Sequence, residues 1–99
     1  VCLKWPNDVL WRDGDDFRKL SGVLVELASD SRSVSAVIGV GLNLRPPPAG
    51  TLPQPAAGLL QTAARQTERH AVLAALLTAL AGALDRFAGE GFAGLRAEW

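Results

Sequence analysis

The sequence is poor in residues that usually announce a function. It holds one cysteine, one histidine, no methionine and no surplus of either charge. Cys2 is alone, so an internal disulfide is excluded, and no metal partner stands near it. It reads as a buried, inert thiol, a usage that fits a reducing cytoplasm. Ten basic residues balance ten acidic ones without forming a basic stripe, so no sequence-independent grip on nucleic acid is expected. No apolar run approaches the roughly 20 residues of a membrane span and no signal-peptide pattern is present, so no membrane contact is expected. His70 has no second ligand residue nearby and reads as a surface residue. The first residues from Val1 already look like a mid-sheet strand, so the chain is expected to be a piece of something longer.

What is present is an ordinary globular composition, 48% hydrophobic and 20% charged, with a chain length that buries about 60–70% of its surface on folding. One imbalance is sharper. Eight of the ten basic residues are arginine, and only Lys4 and Lys19 are lysine. A compact ammonium and a planar guanidinium do different work at a site, so the two lysines are the first candidates among the basic residues.

The first half reads as antiparallel sheet. Val1 to Lys4 is a short strand ended at Trp5-Pro6, because proline pushes its predecessor toward extended geometry. Val9 to Arg12 resumes the extended chain, and RDGDDFR, Arg12 to Arg18, is a polar hairpin tip. Its DGDD lacks the spaced ligands and closing glutamate of a calcium loop. Lys19 to Ala28 is the return strand, Asp30 to Ser33 a turn, and Val34 to Leu44 a long strand. The apolar run of that last strand is nearly continuous, which predicts cover on both faces. Gly39 and Gly41 alternate and therefore share a face. With Gly22 they mark a place where a ligand or another backbone comes close.

From Pro46 the character changes. Pro46 to Pro55 holds five prolines in ten residues and reads as a loop or linker. A short helix is expected over Ala56 to Ala64, then a long one with Thr67 as N-cap. Leu73, Leu76, Leu77, Leu80, Leu84 and Phe87 recur on it at steps of three and four, the pattern of a core-facing stripe. Gly89-Glu90-Gly91 stops it, and Phe92 to Trp99 reads as a final turn or two of helix.

Three motifs stand in order: KWPND (4–8), RKLSGVLVE (18–26) and IGVGLN (38–43). Together they closely resemble the central part of the catalytic domain of biotin–protein ligases. Those enzymes show KWPND, a K-L-x-G-I-L-x-E strand and a G-x-G-x-N strand at similar spacing. The leucine-rich helix and EGFAGLRAEW (90–99) resemble the close of that domain, so the resemblance covers essentially the whole chain. It implies an α/β (α+β) fold: a mainly antiparallel sheet packed by C-terminal helices, like class II aminoacyl-tRNA synthetases. Strands then occupy 1–44, a proline-rich loop 45–55 and helices 56–99. The family's glycine- and arginine-rich loop lies upstream of KWPND, and a small β-barrel domain follows its catalytic domain. These 99 residues contain neither, so a partial domain, inactive by itself, is expected.

The resemblance also implies a two-step ligase. Biotin and MgATP give biotinyl-5′-AMP and pyrophosphate, and a lysine on a biotin acceptor domain (biotin carboxyl carrier protein) then takes the biotin. A homodimer is left open. Attack of a carboxylate on an α-phosphorus gathers negative charge on phosphoryl oxygens, which calls for fixed positive charge. Lys19, at the start of a strand and near Gly22, suits that role, and the resemblance gives it contact with the acyl group and phosphate. Its other reading is a solvating lysine at a strand edge. Asn7 and Asp8 match the family's N-D pair beside the nucleotide, and Lys4 and Trp5 match the wall around it. An Asx turn after proline would explain one of the pair but not both. Which of them helps to hold Mg²⁺, Asp8 being the candidate, and which braces the loop stays open. Asn43 matches an asparagine that reaches the nucleotide. Gly22, Leu24, Gly39 and Gly41 complete the biotin and adenylate face; close strand-to-helix packing is the other reading of the glycines. Two further functions remain in view: lipoate or octanoyl transfer on a related fold, and a non-catalytic fragment that binds or oligomerises.

Overall fold

The computed structural model describes residues 1–48, 50–62 and 68–98. The chain divides into two compact units, Val1–Arg65 and Gln66–Trp99.

The first unit is a four-stranded antiparallel sheet whose spatial order follows the chain: β1 (Cys2–Lys4), β2 (Asp8–Asp13), β3 (Asp16–Ser29) and β4 (Val34–Leu42). The β2–β3 hairpin closes more tightly than the expected polar tip. Asp13 pairs with Asp16, so only Gly14 and Asp15 form the turn. Gly14 takes a φ of +63°, a value that a side chain makes costly. At the opposite end Asp30 Oδ1 accepts backbone N–H bonds from Arg32 and Ser33, each at 2.8 Å. Those bonds close the β3–β4 turn and hold the Asp30 carboxyl below its ordinary value. The Trp5-Pro6 peptide is cis.

β4 stops at Leu42 rather than Leu44, because Asn43 turns to donate its backbone N–H to Leu20 O at 2.9 Å. The predicted cover on both faces is not found. Val34 and Val37 are 72% and 64% exposed, and Leu27 on β3 is 72% exposed. A sheet face is dry only where another layer lies on it. Within this unit the one described helix is the single turn α1 (Leu59–Thr62). The buried hydrophobics among the described residues are Leu20 and Ala57, with Ser21 beside them. Cys2 is half-buried rather than buried.

The proline-rich segment is no free linker. It returns to the sheet, where Ala56 forms a parallel bridge with Lys19 instead of starting a helix. The expected helical positions 63 and 64 and the expected cap Thr67 lie outside the described residues.

The second unit is α2 (Arg69–Glu90) followed by a 3-10 turn at Gly91–Gly94. Glu68 stands at the N-cap without a side-chain bond, and His70 is exposed. Gly91, at φ +64°, ends the helix as expected and donates its N–H to Phe87 O. Beyond it the expected final turn of helix is a short 3-10 turn, Gly91–Gly94, and Arg86 donates to both Glu98 oxygens at 2.6 and 3.0 Å. The leucine stripe builds no core within this unit: Leu73, Leu77 and Phe87 are about half exposed, and α2 buries no residue. A helix buries a stripe only against another element, and here the unit offers only the short 3-10 turn. By length and composition Arg69–Gly94 (26 residues, with an 18-residue stretch of mean hydropathy 1.6) is long and apolar enough to cross a membrane. That corrects the expectation that no segment approaches a span. Alanine and leucine dominate the helix, and length and composition do not separate a span from a core helix.

Candidate functional site

Antiparallel register places residues directly opposite one another on one face of a sheet. Lys4 lies opposite Asp8, Asp8 opposite Gly22, and Gly22 opposite Gly41. A single row thus crosses all four strands and carries an ammonium, a carboxylate and two bare positions. The next row on that face pairs Leu24 with Gly39. The strand alternation that puts Gly39 and Gly41 together therefore also joins them to Gly22 and Asp8.

Lys19 should not belong to this face. It stands three residues before Gly22, and side chains three apart in a regular strand point to opposite sides. A β-bulge changes that. Val9 pairs with Ser21 but Leu10 pairs with Lys19, so Leu20 is an extra residue on β3. Leu20 turns into the small core, only 5% exposed, and Lys19 is carried over to the Asp8 side. Its Nζ lies 2.6 Å from Asp8 Oδ1. Its stem runs over Gly22, where an added Cβ would meet Lys19 Cε at 3.2 Å. Gly22 is bare because Lys19 lies across it.

The Lys19 backbone is held on the side away from β2. Its N–H donates to Pro55 O at 2.9 Å, and its carbonyl accepts from Ala57 N–H at 2.9 Å. The same carbonyl accepts from Asn43 Nδ2 at 3.3 Å. Asn43 therefore supports the peptide of Lys19. Asn7 braces as well, since its Nδ2 donates to Val23 O at 2.8 Å, while Val23 N–H donates to Asn7 O at 2.9 Å. The N-D pair divides its roles. Asn7 fixes the KWPND turn to β3, and Asp8 faces the lysine.

Asp8 is nearly covered, with its side chain 12% exposed against 30% for Lys19. The hydrogen bond from Lys19 holds the Asp8 carboxyl below its ordinary value. Partial burial opposes this, and the charges of Lys19 and Lys4 and a side-chain hydrogen bond from Gln54 assist it. The prolines of 46–55 give no sign in the sequence that the loop returns to the sheet. Asp8 is a single carboxylate paired with Lys19, and among the described residues no group of three His, Cys, Asp or Glu could hold a metal.

Lys19, Gly22, Leu24, Gly39, Gly41 and Asn7 line a trough of about 530 Å³. Lys4 and Trp5 are exposed, Trp5 to 80%, and neither lines this trough. Asn43 is half-buried and does not line it either. A second cleft of about 520 Å³ lies under the proline-rich loop, with Arg18 as its charged residue. Its wall is largely proline, which donates no backbone hydrogen bond. The trough over Gly22 is the better anion site. An ammonium there has three donors, and only one is engaged by Asp8.

Comparison with known proteins agrees with the motifs. A model of the biotin/lipoate A/B protein ligase family matches residues 1–43. The chain is 35% identical over 102 residues to the bifunctional ligase/repressor BirA of Escherichia coli (strain K12), covering 100% of this chain and 30% of that protein. It is 40% identical over 78 residues to the biotin–[acetyl-CoA-carboxylase] ligase of Mycobacterium tuberculosis, covering 79% and 26%. The ligase of the same name from Paracoccus denitrificans is 32% identical over 104 residues, covering 100% and 42%. The chain thus spans 26% to 42% of the length of these relatives. No solved structure matches it.

Proposed function

Since the chain belongs to the biotin/lipoate A/B protein ligase family, we propose that it forms the Lys19 side of the adenylating site of a biotin–protein ligase. The domain it comes from would have the class II synthetase-like fold. The names of the relatives favour biotin over lipoate. The observation that carries the reading is the placement of Lys19, brought by a β-bulge over a bare glycine and paired with Asp8 on the face of Gly39 and Gly41.

In the first step the biotin carboxylate attacks the α-phosphorus of MgATP. A carboxyl-oxygen-to-phosphorus bond forms, the α–β anhydride bond breaks, and pyrophosphate leaves. Negative charge builds on the phosphoryl oxygens, and the Lys19 ammonium is the fixed positive charge beside them. Asp8 restrains that ammonium in the absence of ligand, while Lys4 adds a second positive charge in the same row. The bare strand at Gly39 and Gly41 lets an acyl-adenylate lie against the sheet. In the second step an acceptor lysine amine attacks the acyl carbon and AMP leaves. The acceptor is a carboxylase domain, and the expected compartment is the cytoplasm.

The test uses the whole protein that contains these 99 residues. Lys19→Ala should lower biotin-dependent pyrophosphate release by about 10²–10³ while the fold survives. Lys19→Arg should not restore it, because the wider fork cannot occupy a point-charge position. Near wild-type release from Lys19→Ala would remove Lys19 from the reaction.

A further inference from the structure

We propose that Gly58 is a positioning residue for Lys19: its bare Cα lets the end of the proline-rich loop close against Arg45 and Pro46, and that closure holds the loop residues bonded to the Lys19 peptide. The inference rests on the function proposed above.

The pairing of β3 with β4 ends at Ser21, opposite Leu42. At Lys19 the side of β3 away from β2 would therefore be an open edge, and residues 55–57 fill it. Pro55 O accepts the Lys19 N–H and Ala57 N–H donates to Lys19 O, both at 2.9 Å, with Ala56 forming the parallel bridge. Without this segment both polar groups of the Lys19 peptide would lose these partners. The bulge that leaves Leu20 over would lose its support, and a regular register would return Lys19 to the face opposite Gly22.

The segment stays there because the loop is closed at its neck. Leu59 N–H donates to Asn43 O at 2.8 Å, and Leu60 N–H donates to Leu44 O at 3.0 Å. Gly58 stands between those bonds and Ala57. A Cβ on it would lie 2.6 Å from Arg45 Cα, from the Arg45 carbonyl carbon and from Pro46 N. All three are backbone atoms, and optimal separations between carbon atoms are about 3.5–4.0 Å, so the two limbs would have to part by about 1 Å. Gly58 has no positive φ, so the close approach alone makes a side chain costly there. The bonds on either side of Gly58 converge on one atom. Ala57 N–H donates to Lys19 O, and Leu59 N–H holds Asn43, whose Nδ2 donates to Lys19 O at 3.3 Å. A displacement at residue 58 therefore reaches Lys19 by two routes. The far end of the lysine is held by Asp8 at 2.6 Å, so a moved peptide pulls ammonium and carboxylate apart.

The test compares wild type with Gly58→Ala in the whole protein. The first readout is the Asp8 carboxyl, followed by ¹³C NMR titration; the charged groups facing it are Lys19 from β3 and Lys4 from β1. Lys19 holds it below its ordinary value, so a displaced ammonium should move its midpoint up. The second readout is pyrophosphate release, with KM for biotin and ATP little changed. There kcat should fall by about tenfold, since a full 1 Å misplacement costs about 10²-fold and only part of it reaches Lys19. In a Lys19→Ala background Gly58→Ala should cause no further loss. Amide hydrogen exchange on the wild type requires no variant to fold: the N–H groups of Lys19, Ala57 and Leu59 should be protected and open together. An unmoved Asp8 midpoint, an equal loss of kcat without Lys19, or free exchange at Ala57 and Leu59 while Lys19 stays protected overturns the proposal. A wild type that forms no adenylate overturns the ligase reading instead, and the Asp8 midpoint and the exchange still decide the role of Gly58.

Discussion

Gly22→Ala tests the site more finely than removal of any charge. A Cβ at residue 22 would stand 3.2 Å from Lys19 Cε and 3.3 Å from both Lys19 Nζ and Asp8 Oδ1. Optimal separations between carbon atoms are about 3.5–4.0 Å, so something must move by a few tenths of an ångström. The nearest atoms are the far ends of side chains, and they move before the backbone does. Stability should change little, because alanine in place of an interior glycine regains about 0.5–1 kcal/mol of backbone entropy and offsets the loosened ion pair. The rate should not escape. If a shift of about 1 Å at a positioned group costs about 10²-fold, a few tenths should cost about tenfold. Gly41→Ala is the control. Its Cβ would meet only Gly22 O, at 3.8 Å, so Lys19 stays in place and any loss should appear in ligand binding. Single-turnover pyrophosphate release and thermal melting on both variants supply the comparison. If Gly22→Ala released pyrophosphate at the wild-type rate while Lys19→Ala did not, Lys19 would not act from its position over Gly22, and the bulge argument would fail.

Asn43→Ala removes the side-chain donor to Lys19 O, so it should lower single-turnover pyrophosphate release through Lys19. In a Lys19→Ala background it should cause no further loss, and an equal loss there would mean that Asn43 acts apart from Lys19. The Asp8 carboxyl lies below its ordinary value of 3.8 because of Lys19. A depressed folded-state pKa gives stability that is present above the unfolded value and lost as pH falls through the folded one. The stability difference between wild type and Asp8→Asn should therefore shrink as pH is lowered below 3.8, while a constant difference in thermal melts would argue against the ion pair. The 99-residue polypeptide by itself, given biotin, MgATP and an acceptor domain, should yield no labelled product. It should self-associate through its exposed Leu27, Val34 and Val37. Efficient labelling by a monodisperse monomer would show that these residues suffice.

Local rules made much of this protein legible. A proline after an apolar run, an Asp-Gly turn and period-two alternation mark the first three strands, and the same alternation puts Gly39 and Gly41 on one face. The motifs around Lys19 carry the family resemblance by themselves. What the sequence could not show is how Lys19 reaches that face. Read by alternation, Lys19 and Gly22 point apart; they meet because Leu20 is left over when β2 pairs with β3. Nothing in KLSG marks a bulge, since it arises from the pairing of two strands and from the burial of Leu20. The return of the proline-rich loop was hidden for the same reason, because only the tertiary structure brings Pro55 and Ala57 to the Lys19 peptide. The apolar runs misled in the opposite direction. Hydrophobicity says which side chains could be buried, but Val34, Val37, Leu73, Leu77 and Leu84 are exposed within their units, because burial also requires a second surface and no strand or helix encodes its own partner.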